Sequence, residues 1–439
     1  ILVLKNNRGT DDNRVRKMDY SIQFCRMFYR RFVEDKYITL FSPHEVQDLY
    51  EAFGYNNDRF EELYEHYERS RTIYKKKIKA RTLFNQFCKE RIETGRIYVM
   101  NIDHCNDHSS FNDKIKMSNL CQEITLPTTP LTHIDDGDDT CSEIALCVLS
   151  AINVGVVKLD ELEDVCMNIV RSLDAVIEHQ FYPVTASTKM LKRRSIGVGI
   201  TNLAYYLAKN GVTYDDPKAC NLVDELMEHV QYYMIKASVE LAKEKGRCEW
   251  FDRTKYSKGI LPIDTYCSSV DSIVTRKLKL NWDKLRNDIK EHGMRNSALT
   301  ALMPCESSSL VTNSTNGIEP PRGLLSIKKS KQGLLPQVVP DIHNLRSKYT
   351  LAYETESNTG YTNIVGVIQK YTDQAISANH YYNFAKYESG NLPMSEIARD
   401  VLYAYKMGVK TLYYANTDDG KTDSIDPENE ACTGGACSI

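Results

Sequence analysis

Short apolar runs of strand length punctuate this chain: Gly95 to Met100, Ile144 to Leu149, Ser195 to Ile200, Ala298 to Met303 and Val409 to Tyr414. Segments with helical spacing and helix punctuation lie between them. Leu203 to Asn210 closes on Gly211, residues 217–246 end in Gly246, and Asp283 to His292 is followed by Gly293. Pro393 to Lys406 is amphipathic and stops before Gly408. Glycine just past a last turn takes the left-handed cap without strain. Strands that alternate with helices lead to an α/β architecture, here rich in helix.

The remaining elements are read more locally. Ile22, Cys25, Met27, Phe28 and Phe32 predict helix across 11–52, with Ser42 capping a helix that starts at Pro43. Residues 58–93 and 158–181 also carry helical spacing, and 325–400 is mixed. The last stretch, 416–439, is almost without apolar residues and is expected to be disordered. Ile1-Leu2-Val3-Leu4 reads as a strand already running, so the chain is expected to begin in the middle of a fold.

Composition narrows the function. The 439 residues carry a formal net charge of -3, with 42% hydrophobic and 26% charged residues. That balance argues for a soluble protein and against a general nucleic-acid binder. No apolar run reaches the ~20 residues of a membrane helix. Thirteen cysteines without a secretory leader argue against a disulfide framework and for a cytoplasmic protein that uses a few thiols chemically.

Several clusters carry chemistry. In Ser118-Asn119-Leu120-Cys121-Gln122-Glu123, an amide, a thiol and a carboxylate occupy alternate positions, so an extended backbone would put all three on one face. Cys432 and Cys437 flank a Gly-Gly pair near the C-terminus. They read as surface thiols or as a mobile dithiol that exchanges with an internal disulfide; two ligands are too few for zinc. Cys432 lies eighteen positions beyond Tyr414, a flexible span of roughly 20–25 Å. Cys147 reads locally as a buried structural cysteine, and as the candidate partner of such a dithiol. Tyr413 and Tyr414 would face opposite sides of a strand unless the strand breaks there; they read as one core and one surface residue, or as a redox pair. Pro304-Cys305-Glu306-Ser307-Ser308 could hold a phosphate if a helix begins at the serines. Gly197-Val198-Gly199 lacks the third glycine of a dinucleotide fingerprint, with Asn202 in its place. His104, Cys105 and His108 have no fourth metal ligand, and no metal site is expected.

Together these stretches resemble the large, catalytic subunit of class I ribonucleotide reductase. The matching segments are Ser118 to Ile124, Glu143 to Cys147, Ala301 to Pro304, Asn316 to Gly323, Lys410 to Tyr414, and the terminal pair of cysteines with four residues between them. The resemblance implies an incomplete ten-stranded α/β barrel over 1–324, a small mixed α/β region over 325–415 and a flexible redox tail over 416–439. It implies reduction of ribonucleoside diphosphates by a thiyl radical on Cys121, with Glu123 as base and Asn119 on the sugar. Cys147 and a thiol from an N-terminal part would supply electrons, and Cys432 and Cys437 would restore them with thioredoxin or glutaredoxin. Tyr413 and Tyr414 would carry the radical from a small subunit with a di-iron tyrosyl site. Leu120, Gln122 and Pro304 to Ser308 would contact substrate. ATP and dNTP effectors would bind mainly the N-terminal part, a separate piece, and this chain would hold no cofactor itself. Cys305, where serine is more typical, and the extra thiol Cys141 depart from the pattern. A non-catalytic scaffold for the small subunit is the alternative.

Overall fold

The computed structural model describes residues 19–132, 141–330, 333–387 and 390–418, with the backbone alone at 328–330 and 333–335. The opening Ile1 to Leu4, and Cys432 and Cys437, lie outside these residues. Strand β1 (Ser21–Phe24) leads into α1 (Arg26–Val33), then β2 (Tyr37–Phe41), α2 (Gln47–Ala52) and α3 (Asn57–Arg69). Strand β3 (Lys75–Lys79), α4 (Ala80–Thr94), β4 (Tyr98–Asn101) and α5 (Ile102–Asp107) complete the first third.

The helical reading of 11–52 and 58–93 is corrected here. Ile22 lies in β1, and Ser42 and Pro43 sit in a turn, with α2 starting four residues after Pro43. The Lys-rich β3 interrupts the second stretch because it pairs antiparallel with β2, Ile38 opposite Ile78. Lys75 finds partners that a helix would not offer: its Nζ donates to the carbonyls of Tyr67, Glu68 and Ser70 at the end of α3. Phe24, Phe28, Phe84 and Phe87 then lock β1, α1 and α4 together, with rings 4.5–5.9 Å apart. Each such pair contributes about 0.5–1.5 kcal/mol beyond area burial.

The middle of the chain runs β5 (Val148–Asn153), α6 (Leu162–His179), α7 (Met190–Arg193) and β6 (Ile196–Thr201), then α8 (Leu203–Lys209), α9 (Pro217–Lys245) and α10 (Trp282–His292). Strands β5 and β6 pair in parallel across a helical crossover. Asp216 caps α9 through Lys218 N, Pro217 holds its first position, and Gly246 ends it. Its buried Asp224 accepts bonds from Lys370, Tyr371 and Arg276, and Glu228 accepts from Lys279 N, Leu280 N and Trp282 Nε1.

The last part comprises α11 (Glu306–Val311), the hairpin β7 (Leu325–Ser330) and β8 (Gly333–Val338), α12 (Ile342–Leu345), α13 (Thr359–Tyr371), β9 (His380–Asn383), α14 (Met394–Lys406), β10 (Thr411–Leu412) and β11 (Ala415–Asp418). The hydrophobic core continues across residue 324: Ile364, Val365, Val367 and Ile368 of α13 join Val223, Met227 and Val230 of α9. β10 pairs with β4, which also pairs with β1. Residues 416–418, expected to be disordered, belong to β11, which lies parallel to β9. That ladder supplies the backbone partners that composition could not reveal.

Ala298 to Met303 is extended but makes only single bridges, Thr300 to Val198 and Leu302 to Ile376. The buried Asp373 carboxylate takes the amides of Leu299 and Thr300, which interrupts a regular ladder. Gly199 lets this segment approach: a Cβ there would lie 2.9 Å from Ala301 O and 3.2 Å from Leu302 Cα. Residues 374–378 lie beside it, through Leu302 N to Ala375 O at 3.1 Å and Ser377 N to Leu302 O at 2.9 Å. Tyr413 N donates to Ala378 O at 2.7 Å and brings in β10 and β4. The result is a continuous wall from β5 to β1. Among the described residues it does not close into a barrel.

Candidate active site

The stretch Ser118 to Glu123 is a turn, not an extended strand. Asn119 Oδ1 accepts from Ile124 N at 3.0 Å, Gln122 N donates to Asn119 O at 3.2 Å, and Gln122 has φ +71°. An Asn side chain that bonds backbone further along competes with a strand ladder in this way. The one-face argument therefore does not hold, yet the three groups still gather. Asn119 hydrogen-bonds the buried Glu123 carboxyl, and Cys121 is half-buried beside them. Burial pushes Glu123 above the usual carboxylate range, against the opposing bonds from Asn119, its own amide and Ser377. Leu120 is exposed, and Gln122 is buried with its amide on Asn119 O at 2.9 Å.

The Cys121 thiol donates to the Tyr413 hydroxyl at 3.4 Å. Burial pushes this thiol up to about 11, with the Tyr413 contact opposing. β10 stops at Leu412, so the strand breaks at the tyrosines. Their rings lie 4.0 Å apart at 52°. Tyr98 of β4 completes a cluster that the sequence reading missed, 4.6 Å from the Tyr413 ring and 5.5 Å from that of Tyr414. The fully buried Arg91 donates to Ile97 O at 2.6 Å and to Tyr413 O at 2.8 Å.

One segment joins these pieces. Gln374 Nε2 reaches the Cys147 sulfur at 3.5 Å. Ser377 Oγ lies 2.6 Å from Cys121 O and 3.1 Å from Glu123 Oε2. Asn379 Oδ1 accepts from Tyr414 N at 2.9 Å, while its amide donates to Glu319 at 2.7 Å. Sequence reasoning missed this segment too. The available signal is three polar residues, Gln374, Ser377 and Asn379, set in an otherwise apolar run that four of the quoted motifs surround in space. Cys147 lies just before β5, and burial pushes its thiol up to about 12.

Helix α11 starts at Glu306, with Ser307 and Ser308 exposed on its first turn. Cys305 N donates to Asn316 Oδ1 at 2.8 Å, so its backbone is tied to the segment that carries Glu319. The Cys305 side chain is buried beside Met303, with Thr201 and Ser308 as hydrogen-bond partners. Glu319 accepts from Tyr381 and Asn379, and burial raises its carboxyl. Pro304 is half-buried at the mouth of this loop.

The other candidates have structural roles. His104 stacks on Tyr405 at 4.2 Å, Cys105 faces Lys410 O, and His108 binds Thr265 Oγ1 and Gln369 O. Among the described residues, no group of three or more His, Cys, Asp or Glu side chains could hold a metal ion. Gly197 sits in β6, where a Cβ would lie 3.0 Å from Cys147 Sγ. Cys141 is exposed.

Comparison with known proteins bears on this geometry. The sequence model of a family described as ribonucleotide reductase, barrel domain, matches residues 1–415. The chain is 53% identical over 444 residues to ribonucleoside-diphosphate reductase subunit alpha of Haemophilus influenzae, covering 100% of this chain and 58% of that protein. It is 50% identical over 449 residues to the subunit alpha of Buchnera aphidicola, with 100% and 59% covered. Against ribonucleoside-diphosphate reductase 1 subunit alpha of Escherichia coli it is 50% identical over 448 residues, again with 100% and 59% covered. The chain thus spans 58–59% of the length of these relatives.

Proposed function

The chain belongs to the ribonucleotide reductase barrel-domain family, and on that premise we propose that it carries most of the active site for reducing ribonucleoside diphosphates to 2′-deoxyribonucleoside diphosphates. It acts in a complex with the N-terminal part of a large subunit and with a small subunit that generates the radical. Effector nucleotides act mainly through that N-terminal part. Among the described residues no helix is long and apolar enough to cross a membrane, and the cytoplasm is the proposed compartment.

The observation that carries the reading is the unbroken contact from Tyr414 through Tyr413 to the Cys121 thiol, 4.0 Å between rings and 3.4 Å from hydroxyl to sulfur. A thiol S–H and a phenol O–H are bonds of similar strength, so a hydrogen atom moves between them with little change in energy. The high proton affinity of the Cys121 sulfur favours that route over a thiolate. In the proposed reaction the small subunit's tyrosyl radical, formed at a di-iron site, is relayed through Tyr414 and Tyr413 to Cys121. The Cys121 thiyl takes the 3′ hydrogen of the ribose and gives it back to C3′ once the 2′ carbon has been reduced. Glu123 takes the 3′ hydroxyl proton, and Asn119 bonds the sugar as the 2′ hydroxyl leaves as water. Leu120 and Gln122 line the sugar side, while Pro304 to Ser308 and the start of α11 hold the diphosphate. Two electrons and two protons come from the thiols of Cys147 and a cysteine of the N-terminal part, which become a disulfide. Cys432 and Cys437 reduce that disulfide and are themselves reduced by thioredoxin or glutaredoxin.

The test is Cys121→Ser in the reconstituted complex. No deoxynucleotide should form; retained reduction would overturn the radical role. For the tail, Cys432→Ser with Cys437→Ser should stop repeated turnover with thioredoxin and spare it with a small dithiol. Equal loss with both reductants would count against the shuttle.

A further inference from the structure

Gln374 is completely buried, and its side chain is held in one orientation. Its Nε2 donates to Ile196 O at 3.1 Å and to the Cys147 sulfur at 3.5 Å. Turning the amide over would set Oε1 against the Ile196 carbonyl, acceptor against acceptor, so the nitrogen stays on the sulfur side. The backbone is fixed as well. Gln374 N donates to Thr300 O at 3.1 Å, and Gln374 O accepts from Gln369 Nε2 at 3.0 Å and from the Lys410 ammonium. Among the described residues Gln374 Oε1 has no hydrogen-bond partner.

We propose that Gln374 is a positioning residue for Cys147, whose fixed N–H stabilises the thiolate form of that sulfur. The setting otherwise opposes a thiolate. Burial raises the Cys147 thiol, and the charged groups that act on it, Asp373 and Glu123, are both anionic; Gln374 works in the opposite sense. Gly197 keeps the sulfur within reach, since any side chain there would crowd it at 3.0 Å.

The consequence for turnover rests on the reading of Cys147 as a redox thiol. When an external dithiol reduces a disulfide at Cys147, the dithiol's own S–S bond forms and the Cys147 S–S bond breaks. Two electrons pass to the broken bond, and the dithiol's two protons end on the released sulfurs. Cys147 leaves as a thiolate before its proton arrives, and the Gln374 N–H meets that charge.

The test uses the full chain, alkylated with iodoacetamide between about pH 7 and pH 10 and read peptide by peptide by mass spectrometry, since alkylation follows the thiolate fraction. Gln374→Met keeps the volume and removes the donor. Cys147 should then react roughly tenfold more slowly, the effect of about one pKa unit, while Cys267 serves as the unchanged reference. Equal Cys147 rates in both proteins would overturn the proposal. If Gln374→Met does not fold, judged by circular dichroism, Gln374→Glu carries the test: a carboxylate on the sulfur should slow Cys147 further, and an unchanged rate overturns the idea. Cys147→Ser in the reconstituted complex separates the two readings. Repeated turnover in that variant would sink the redox role and leave the alkylation result standing. Blocked turnover combined with a normal Gln374→Met rate would sink the thiolate proposal alone.

Discussion

Ser377 has one proton and two acceptors within reach. Its Oγ lies 2.6 Å from Cys121 O and 3.1 Å from Glu123 Oε2, and the residue is 4% exposed. With Glu123 ionised, Ser377 donates to the carboxylate, a bond that favours the charged form and opposes the effect of burial. Ser377→Ala removes the donor altogether. A hydrogen bond to a charged group contributes about 1.5–3 kcal/mol, and one pKa unit corresponds to about 1.4 kcal/mol. The Glu123 carboxyl, already raised by burial, should therefore rise further. On the proposed reading of Glu123 as the base, which works deprotonated, the acidic limb of kcat/KM against pH moves up with it. Stability follows with a definite sign. The native state keeps the Glu123 proton after the unfolded chain has lost its own, so stability falls as pH rises from the ordinary value of 4.5 through the raised one. Ser377→Ala steepens that fall and extends it upward. The measurements are the pH profile of the reconstituted complex and urea titrations of the chain at the same pH values. An acidic limb that does not move, with the variant folded, refutes this role for Ser377.

Three further outcomes follow from the packing. Gly199→Ala should lower stability by about 1–3 kcal/mol in urea, because the new Cβ meets backbone atoms that cannot move aside; a change near zero would mean that the 298–302 segment is not held against β6. Asp224→Asn should cost about 3–5 kcal/mol, since it leaves Arg276 and Lys370 facing a neutral buried amide, and thermal melting checks it. Lys410 is buried against the carbonyls of Thr372, Asp373 and Gln374, and burial lowers it from 10.5 to about 7. Between those values the unfolded chain binds the extra proton, so stability gains as pH rises from about 7 towards 10.5. Lys410→Met should be less stable overall and lack that gain; an identical pH slope in both proteins would refute it.

What the sequence made legible follows from how local each signal is. The helices that carry their own punctuation, α8, α9, α10 and α14, lie where Gly211, Gly246, Gly293 and Gly408 put them, because capping is settled within a few residues. The Lys-rich β3 was illegible, since its partners, β2 and the end of α3, are distant in sequence. The family was legible as a set of motifs, and the match over 1–415 agrees with that reading. The geometry of the candidate site was not. Asn119, Cys121 and Glu123 meet through an Asn-directed turn rather than strand alternation. Gln374, Ser377 and Asn379 bind Cys147, Glu123 and Tyr414, residues that lie between 35 and 254 positions away. No local pattern encodes such contacts.

The interruption at Tyr413 and Tyr414 governs how charge can move there. Electron tunnelling between rings weakens steeply with the gap, and its barrier grows with the distance that surrounding atoms shift when the charge moves. A continued strand would send the two rings to opposite faces. Instead they stand 4.0 Å apart, and all four backbone polar groups of the pair are anchored by others: the Tyr413 amide on Ala378, its carbonyl on Arg91, the Tyr414 amide on Asn379 and its carbonyl on His380. A narrow gap on a stiff mounting gives strong electronic coupling with little reorganisation. Loosening any one anchor should slow a hole crossing these rings even while the rings themselves are untouched.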